Sequence, residues 1–156
     1  MGYSTDFGGS FEIDKPLDKN TLKLLKGLNT TRRMKRNVGP EFGVEGEFFV
    51  NGKGDFGQDE DGTVVNHNQP PSTQPGLWCQ WTPNEDGTEI EWDGGEKFYA
   101  YVEWIEYLIE KIFEPRGYKL NGEVVWVGED PDDRGKIVIE NNVVDIKIAK
   151  ITYESI

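Results

Sequence analysis

Hydrophobic and polar positions along the chain predict two helices and several short strands. Apolar residues recur at helical spacing over 19–29 and 96–114, and Asp18 stands where it would cap the first helix. The pair Gly8-Gly9 indicates a bulge or a close backbone approach in the first strand. The candidate strands cover 3–13, 47–50, 63–66, 77–82, 89–92, 118–127, 136–140 and 143–151.

Turn residues predict two hairpins. Asp86-Gly87 favours a type I′ turn, and such a loop places Trp81 opposite Trp92. Asn141-Asn142 is a second signal of the same kind. The second hairpin then pairs Ile139 with Val144 and Ile137 with Ile146. All four residues are apolar and share one face of the hairpin in this register. A shift of the register by one residue would move the apolar side chains of one strand to the opposite face, so the pattern supports this register.

These elements predict an α+β fold, in which a mainly antiparallel sheet carries two helices on one face, within a single domain covering 1–156. Apolar residues make up 35% of the chain and aromatic residues 12%, so we expect a core rich in rings and β-branched side chains. The single cysteine, Cys79, excludes an internal disulfide framework and a cysteine-rich zinc site.

The chain is strongly acidic. Its 29 acidic and 17 basic residues give a net charge of -12, which argues against direct binding to nucleic acid or to anionic membranes. The longest apolar run covers only 124–127, and the first residues lack the basic-then-apolar pattern of a signal peptide. We therefore expect a cytoplasmic protein with no membrane-spanning helix.

Candidate catalytic and metal-binding residues form no recognised motif. The only histidine, His67, lies in a polar loop, and no Gly-x-Ser-x-Gly is present. The acidic segment 55–61 does not fit a calcium-binding EF-hand loop, because Gly57 and Asn68 stand at the first and last ligand positions. We assign no metal or cofactor and favour a binding protein, while a looser calcium site and an enzyme acting on nucleotides through paired carboxylates stay open.

A basic segment contrasts with the acidic chain. The run 32–36 carries a charge of +4 within five residues. It would either pair with acidic loops of the same fold or hold an anionic ligand, for which the planar guanidinium is well suited. The ligand alternative, with a tryptophan as an aromatic wall, predicts a binding site formed by Arg32, Arg33, Lys35, Arg36, Trp78, Trp81 and His67.

An acidic row lies on the polar face of the second predicted helix. Glu103, Glu106 and Glu110 are neighbours there, and like charges at this spacing destabilise a helix slightly. The row is either a solvated face or a partner-binding surface that imitates phosphates and occupies a basic groove.

Four segments resemble an uncharacterised family of small bacterial and phage proteins. They are 3–11 (YSTDFGGSF), 31–36 (TRRMKR), 74–81 (QPGLWCQW) and 93–104 (DGGEKFYAYVEW). The resemblance implies a phage or mobile-element setting inside a bacterial host cell, and it transfers no catalytic residues.

Together these observations predict a non-enzymatic phage or mobile-element binding protein with a counter-defence role, which sequesters a small anionic, nucleotide-like ligand. The alternative is an acidic protein that inhibits a host nucleic-acid-binding enzyme by phosphate mimicry. Self-association into a homo-oligomer is also left open by the sequence.

Overall fold

Alternating apolar residues build a six-stranded antiparallel sheet. The structure is a computed structural model and describes residues 2–156. The strands and helices are β1 (Thr5–Ile13), α1 (Lys19–Thr30), β2 (Lys35–Arg36), β3 (Val64–Asn66), β4 (Trp81–Pro83), β5 (Glu89–Trp92), α2 (Tyr101–Leu108), β6 (Leu120–Gly128), β7 (Arg134–Glu140) and β8 (Val143–Ile148). The sheet order is β4-β5-β1-β6-β7-β8, and β2 and β3 form a separate pair. The predicted α+β class is confirmed.

One face of the sheet forms the core. Phe11, Val124 and Ile137 are fully buried and join the buried residues of both helices in one cluster. Burying a side chain of this size stabilises the fold by about 1.5–3 kcal/mol. The other face carries polar residues, including an ion pair between Lys136 Nζ and Glu123 Oε2 at 3.1 Å.

Gly9 marks a close approach of two backbones at the centre of the sheet. Its φ is 97°, and a Cβ there would lie 2.7 Å from the carbonyl oxygen of Glu123. The pairing of β1 with β6 continues through this point without a register shift. The Gly8-Gly9 pair is therefore explained by close approach rather than by a bulge.

Both predicted hairpin registers are confirmed. Trp81 pairs with Trp92, and Ile139 pairs with Val144. The second turn has the positive φ angles that its type requires, 47° at Asn141 and 70° at Asn142.

The first hairpin turn differs from the predicted type. Among its two central residues only Gly87 has a positive φ, and Asn84 Oδ1 accepts hydrogen bonds from the N–H groups of Thr88 and Glu89. The connection therefore spans 85–88. A four-residue loop with the same centre as the predicted two-residue loop leaves the strand register unchanged.

Two predicted strands differ from the structure. The strand expected at 47–50 is absent, because Glu47 follows a 3-10 turn (Val44–Gly46) and its carboxylate accepts a hydrogen bond from Val44 N. The strand expected at 77–82 is reduced to β4. The carbonyl of Leu77 instead accepts the N–H of Arg33, so this stretch pairs with a loop and not with a ladder.

The first helix begins as predicted, and the second begins later. Asp18 caps α1 by accepting a hydrogen bond from Thr21 N. Ala100 has a left-handed φ of 55°, so α2 cannot extend back to residue 96. After α2 the chain forms a π-helical turn (Ile109–Phe113), closed by a hydrogen bond from Glu114 N to the carbonyl of Ile109.

None of the helices within residues 2–156 is long and apolar enough to cross a bilayer.

Candidate functional site

Arg33 is a buried cross-link. Its side chain is 2% exposed, and it donates hydrogen bonds to Gln74 Oε1 (3.3 Å) and to the carbonyl of Glu47 (3.0 Å). The Tyr107 hydroxyl of α2 donates to the carboxylate of Glu47. Burial lowers the pKa of the Arg33 guanidinium to about 10, so it is still charged at neutral pH. The prediction that Arg33 borders an accessible anion site is therefore corrected.

Lys35 and Arg36 are paired within the fold. Lys35 Nζ lies 2.7 Å from Glu45 Oε2, and the pKa of that carboxyl is lowered to about 2, chiefly by this bond. Arg36 is 2% exposed, lies 3.5 Å from Asp61 Oδ2 and covers the ring of Phe49 at 4.2 Å. These two residues follow the internal-pairing alternative for the basic run.

Arg32 is the half-buried exception in the run. Its Cζ lies 5.6 Å from the centre of the Trp78 ring, within cation–π range. Nε donates to the carbonyl of His67 and Nη2 to Asn68 Oδ1. Across residues 2–156, Nη1 makes no hydrogen bond. Arg32, Trp78 and His67 are thus brought together as predicted, although His67 contributes its backbone carbonyl and not its ring.

Trp81 lies in the core and not beside this group. It is 1% exposed, and its indole N–H donates to the carbonyl of Tyr101. Phe7, Phe11 and Phe98 pack around its ring. Trp78, and not Trp81, is the tryptophan that lies beside Arg32, and the assignment of Trp81 to the site is corrected.

Trp78 borders a cavity of about 360 Å³ between the end of α1 and the end of β5. Phe56 stands edge-on to Trp78, with ring centres 5.6 Å apart, and is 51% exposed. A 3-10 turn (Asp55–Gly57) carries Phe56 in a left-handed conformation with φ 54°. The carbonyl of Phe56 accepts the N–H of Arg32, which fixes both residues beside the cavity.

The polar lining of this cavity presents hydrogen-bond acceptors. Asn29 Nδ2 donates to Asp93 Oδ2, Gln80 Nε2 donates to the carbonyl of residue 96, and Gln58 Nε2 donates to that of residue 55. The side-chain oxygens of Asn29 and Gln58 receive no hydrogen bond from any part of the chain between residues 2 and 156. These two oxygens can accept hydrogen bonds from N–H or O–H donors of a ligand.

Cys79 lines the same cavity but is chemically inert. Its thiol is buried, and burial raises its pKa to about 12. A thiol with this pKa stays protonated at neutral pH and is a poor nucleophile. In the part of the chain that the structure describes, no three His, Cys, Asp or Glu side chains are grouped so as to hold a metal ion.

The acidic row on α2 and the π-helical turn after it faces solvent. Glu103, Glu106 and Glu110 are exposed, and none of them forms an ion pair with any residue from 2 to 156. Tyr107 lies between them in sequence but points into the core, where it is 6% exposed. Glu103 and Glu106 are thus exposed carboxylates of α2, and Glu110 is an exposed carboxylate of the π-helical turn.

Most of the residues that line the cavity were not among the predicted site residues. They include Asn29, Phe56, Gln58, Gln80 and Asp93. The one local signal was Phe56, which lies next to glycines in a polar segment. Such a segment cannot bury a large aromatic ring by itself, so the ring must pack against another part of the chain or remain exposed.

A scan against protein-family models, a search of curated proteins and a search of solved structures each return no match for this chain.

Proposed function

We propose that the protein is a non-enzymatic binding protein that sequesters a small anionic ligand of nucleotide-like chemistry in the cavity beside Trp78. One observation carries the proposal: a partly exposed Arg32–Trp78–Phe56 group adjoins an open cavity lined by acceptors. The resemblance to small phage proteins supports a counter-defence setting, in which the ligand would be a nucleotide signal of the host.

The chemistry of the cavity defines the ligand class. A flat ring would stack on Trp78, which contributes about 1–3 kcal/mol per base in proteins that bind single strands. An amino group on the ring edge would donate to the oxygens of Asn29 and Gln58. The anionic group would lie outside the cavity at Arg32 Nη1. A volume of about 360 Å³ lies within the range of small-molecule sites and favours one base over a longer oligonucleotide.

The experiment is a thermal-shift screen of mononucleotides and cyclic nucleotides against the wild type and two variants, Arg32→Ala and Trp78→Ala. A ligand at 100 times its dissociation constant stabilises the fold by about 2.7 kcal/mol. We expect this stabilisation in the wild type and its loss in both variants. Arg134→Ala is the matched control, because it removes an exposed guanidinium on β7 that does not line the cavity. This variant should keep the full ligand-induced rise in melting temperature.

Two outcomes would contradict the proposal. Either no nucleotide shifts the melting temperature of the wild type, or the shift persists in both Arg32→Ala and Trp78→Ala.

A second candidate function rests on the exposed carboxylates of α2 and of the π-helical turn that follows it. Glu103, Glu106 and Glu110 would imitate phosphates and occupy the basic groove of a host nucleic-acid-binding enzyme. Immobilised wild-type protein should then retain such enzymes from a bacterial lysate at low salt and release them at high salt. Reversal of all three residues to Lys should abolish the retention, whereas equal retention by the triple variant would refute phosphate mimicry.

A further inference from the structure

The outer edge of β8 is the long unpaired edge of the sheet. The strand order ends at β8, which spans six residues and is exposed over most of its length. The opposite edge is β4, which has three residues, includes Pro83 and lies against α1. Short length, proline and a covering helix are features that protect an edge from pairing, and β8 has none of them.

The backbone of β8 directs alternate residues outward. Ala149 N donates to the carbonyl of Arg134 in β7, and the hairpin turn joins Glu140 to Val143. Because hydrogen-bonding direction alternates along an antiparallel strand, 143, 145, 147 and 149 bond to β7. The N–H and C=O groups of 144, 146 and 148 therefore point away from the sheet.

The side chains of β8 are self-complementary about Ile146. In an antiparallel pairing that places Ile146 opposite Ile146 of a second copy, the outward N–H and C=O groups of residues 144, 146 and 148 hydrogen-bond between the two copies. Asp145 of each copy then faces Lys147 of the other, which forms two opposite-charge pairs. A pairing centred on residue 145 would place the Asp145 side chains of the two copies opposite each other. A pairing centred on residue 147 would do the same with the two Lys147 side chains. Among these three registers, charge complementarity therefore favours the one centred on Ile146.

The core side of the same edge carries uncovered apolar surface. Ile146 is 37% exposed and Ile148 is 69% exposed. They border a groove of about 290 Å³ together with Tyr101, Val102 and Trp126. In the register centred on Ile146, Ile148 lies opposite Val144 of the other copy, so the pairing covers this apolar strip.

We propose that the chain forms a two-fold symmetric dimer by antiparallel pairing of β8 with β8 of a second copy, centred on Ile146. The two sheets join into one continuous sheet of twelve strands. Such an interface presents the same surface from both copies, as a two-fold axis requires. The proposal is independent of the ligand site, which lies at the other end of the sheet beside β5.

Charge reversal tests both the interface and its register. The mass is measured by light scattering during size-exclusion chromatography over a dilution series. We expect a mass of twice 17.8 kDa for the wild type. Asp145→Lys and Lys147→Asp should each fall to the monomer mass, because each creates two like-charge pairs. The double variant restores two opposite-charge pairs and should return to the dimer mass.

The expected loss of the dimer in Lys147→Asp would not result from unfolding of the variant. Within one copy Lys147 lies opposite Lys136, so Lys147→Asp removes a like-charge pair from the monomer and should leave its melting temperature equal or higher. Lys150→Asp makes the same charge change beyond β8, where Asn142 would stand opposite, and should remain dimeric. A monomeric wild type, dimeric single variants or a monomeric double variant would each overturn the proposal.

Discussion

Replacement of Arg33 by alanine should strongly destabilise the protein, whereas the same change at the adjacent Arg32 should not. The two residues carry the same charge one position apart. Arg33 is 2% exposed and holds Gln74 and Glu47 together, while Arg32 is half-buried against Trp78. The comparison separates the structural part of the basic run from the part that can meet a ligand.

The magnitude follows from what each side chain contacts. Arg33→Ala removes two hydrogen bonds from a charged donor, each worth about 1.5–3 kcal/mol, and leaves a cavity that adds to the loss. Relief of the desolvated guanidinium, whose Nη1 has no hydrogen-bond partner within residues 2–156, offsets part of this, so we expect a net loss of about 3–5 kcal/mol. Arg32→Ala removes one cation–π contact and two bonds at a half-buried site, for a loss of about 1 kcal/mol.

Urea unfolding at neutral pH measures the loss of unfolding free energy in each variant. The comparison holds when the free energy of unfolding depends on urea concentration with the same slope in both variants and in the wild type. In thermal unfolding, 1 kcal/mol corresponds to about 2–4 °C for a chain of this length, so Arg33→Ala should melt roughly 6–20 °C lower. If Arg33→Ala melts as Arg32→Ala does, the buried cross-link is not what holds the loop to α2, and the reasoning fails.

Two further predictions follow from shifted pKa values. Hydrogen bonds from Thr21 and Tyr118 lower the pKa of Asp18 to about 2, so its contribution to stability is complete above the ordinary carboxyl range near pH 4 and is lost as the pH falls toward 2. The urea midpoint should therefore fall less between pH 6 and pH 2.5 in Asp18→Asn, which has no carboxylate to protonate, than in the wild type. An equal fall in the two proteins would contradict this assignment. Burial raises the pKa of Cys79 to about 12, so iodoacetamide at pH 8 should label the native protein far more slowly than the urea-unfolded protein. Equal labelling rates would contradict the burial of this thiol.

Local signals were sufficient for the registers of the two hairpins. The turn at Asn141-Asn142 and the apolar pairs beside it are close in sequence, so periodicity and turn preference determined the register together. The Trp81–Trp92 pair was predicted even though the turn type was wrong, because the loop centre alone sets the register.

The candidate site could be predicted only in part, because its contacts are between residues distant in sequence. Arg33 meets Glu47 and Gln74, which are 14 and 41 residues away, and no local pattern shows that both acceptors surround it. Phe56 is held in a left-handed conformation that phenylalanine rarely adopts, so propensity argues against its position. The sequence named Arg32 and Trp78 together, and the structure places the Arg32 guanidinium against the Trp78 ring beside the cavity.

The most direct test of the proposed site is the indole N–H region of a ¹H–¹⁵N correlation spectrum during titration with a nucleoside monophosphate. The five tryptophans give five indole signals, and the Trp78→Phe variant assigns the signal of Trp78. The indole of Trp81 is buried and bonded to the carbonyl of Tyr101, so it is the internal reference. The account predicts that in the wild type the Trp78 signal moves most and the Trp81 signal least, and that no indole signal moves in Arg32→Ala. A spectrum in which the Trp78 signal stays fixed at saturating nucleotide would contradict it.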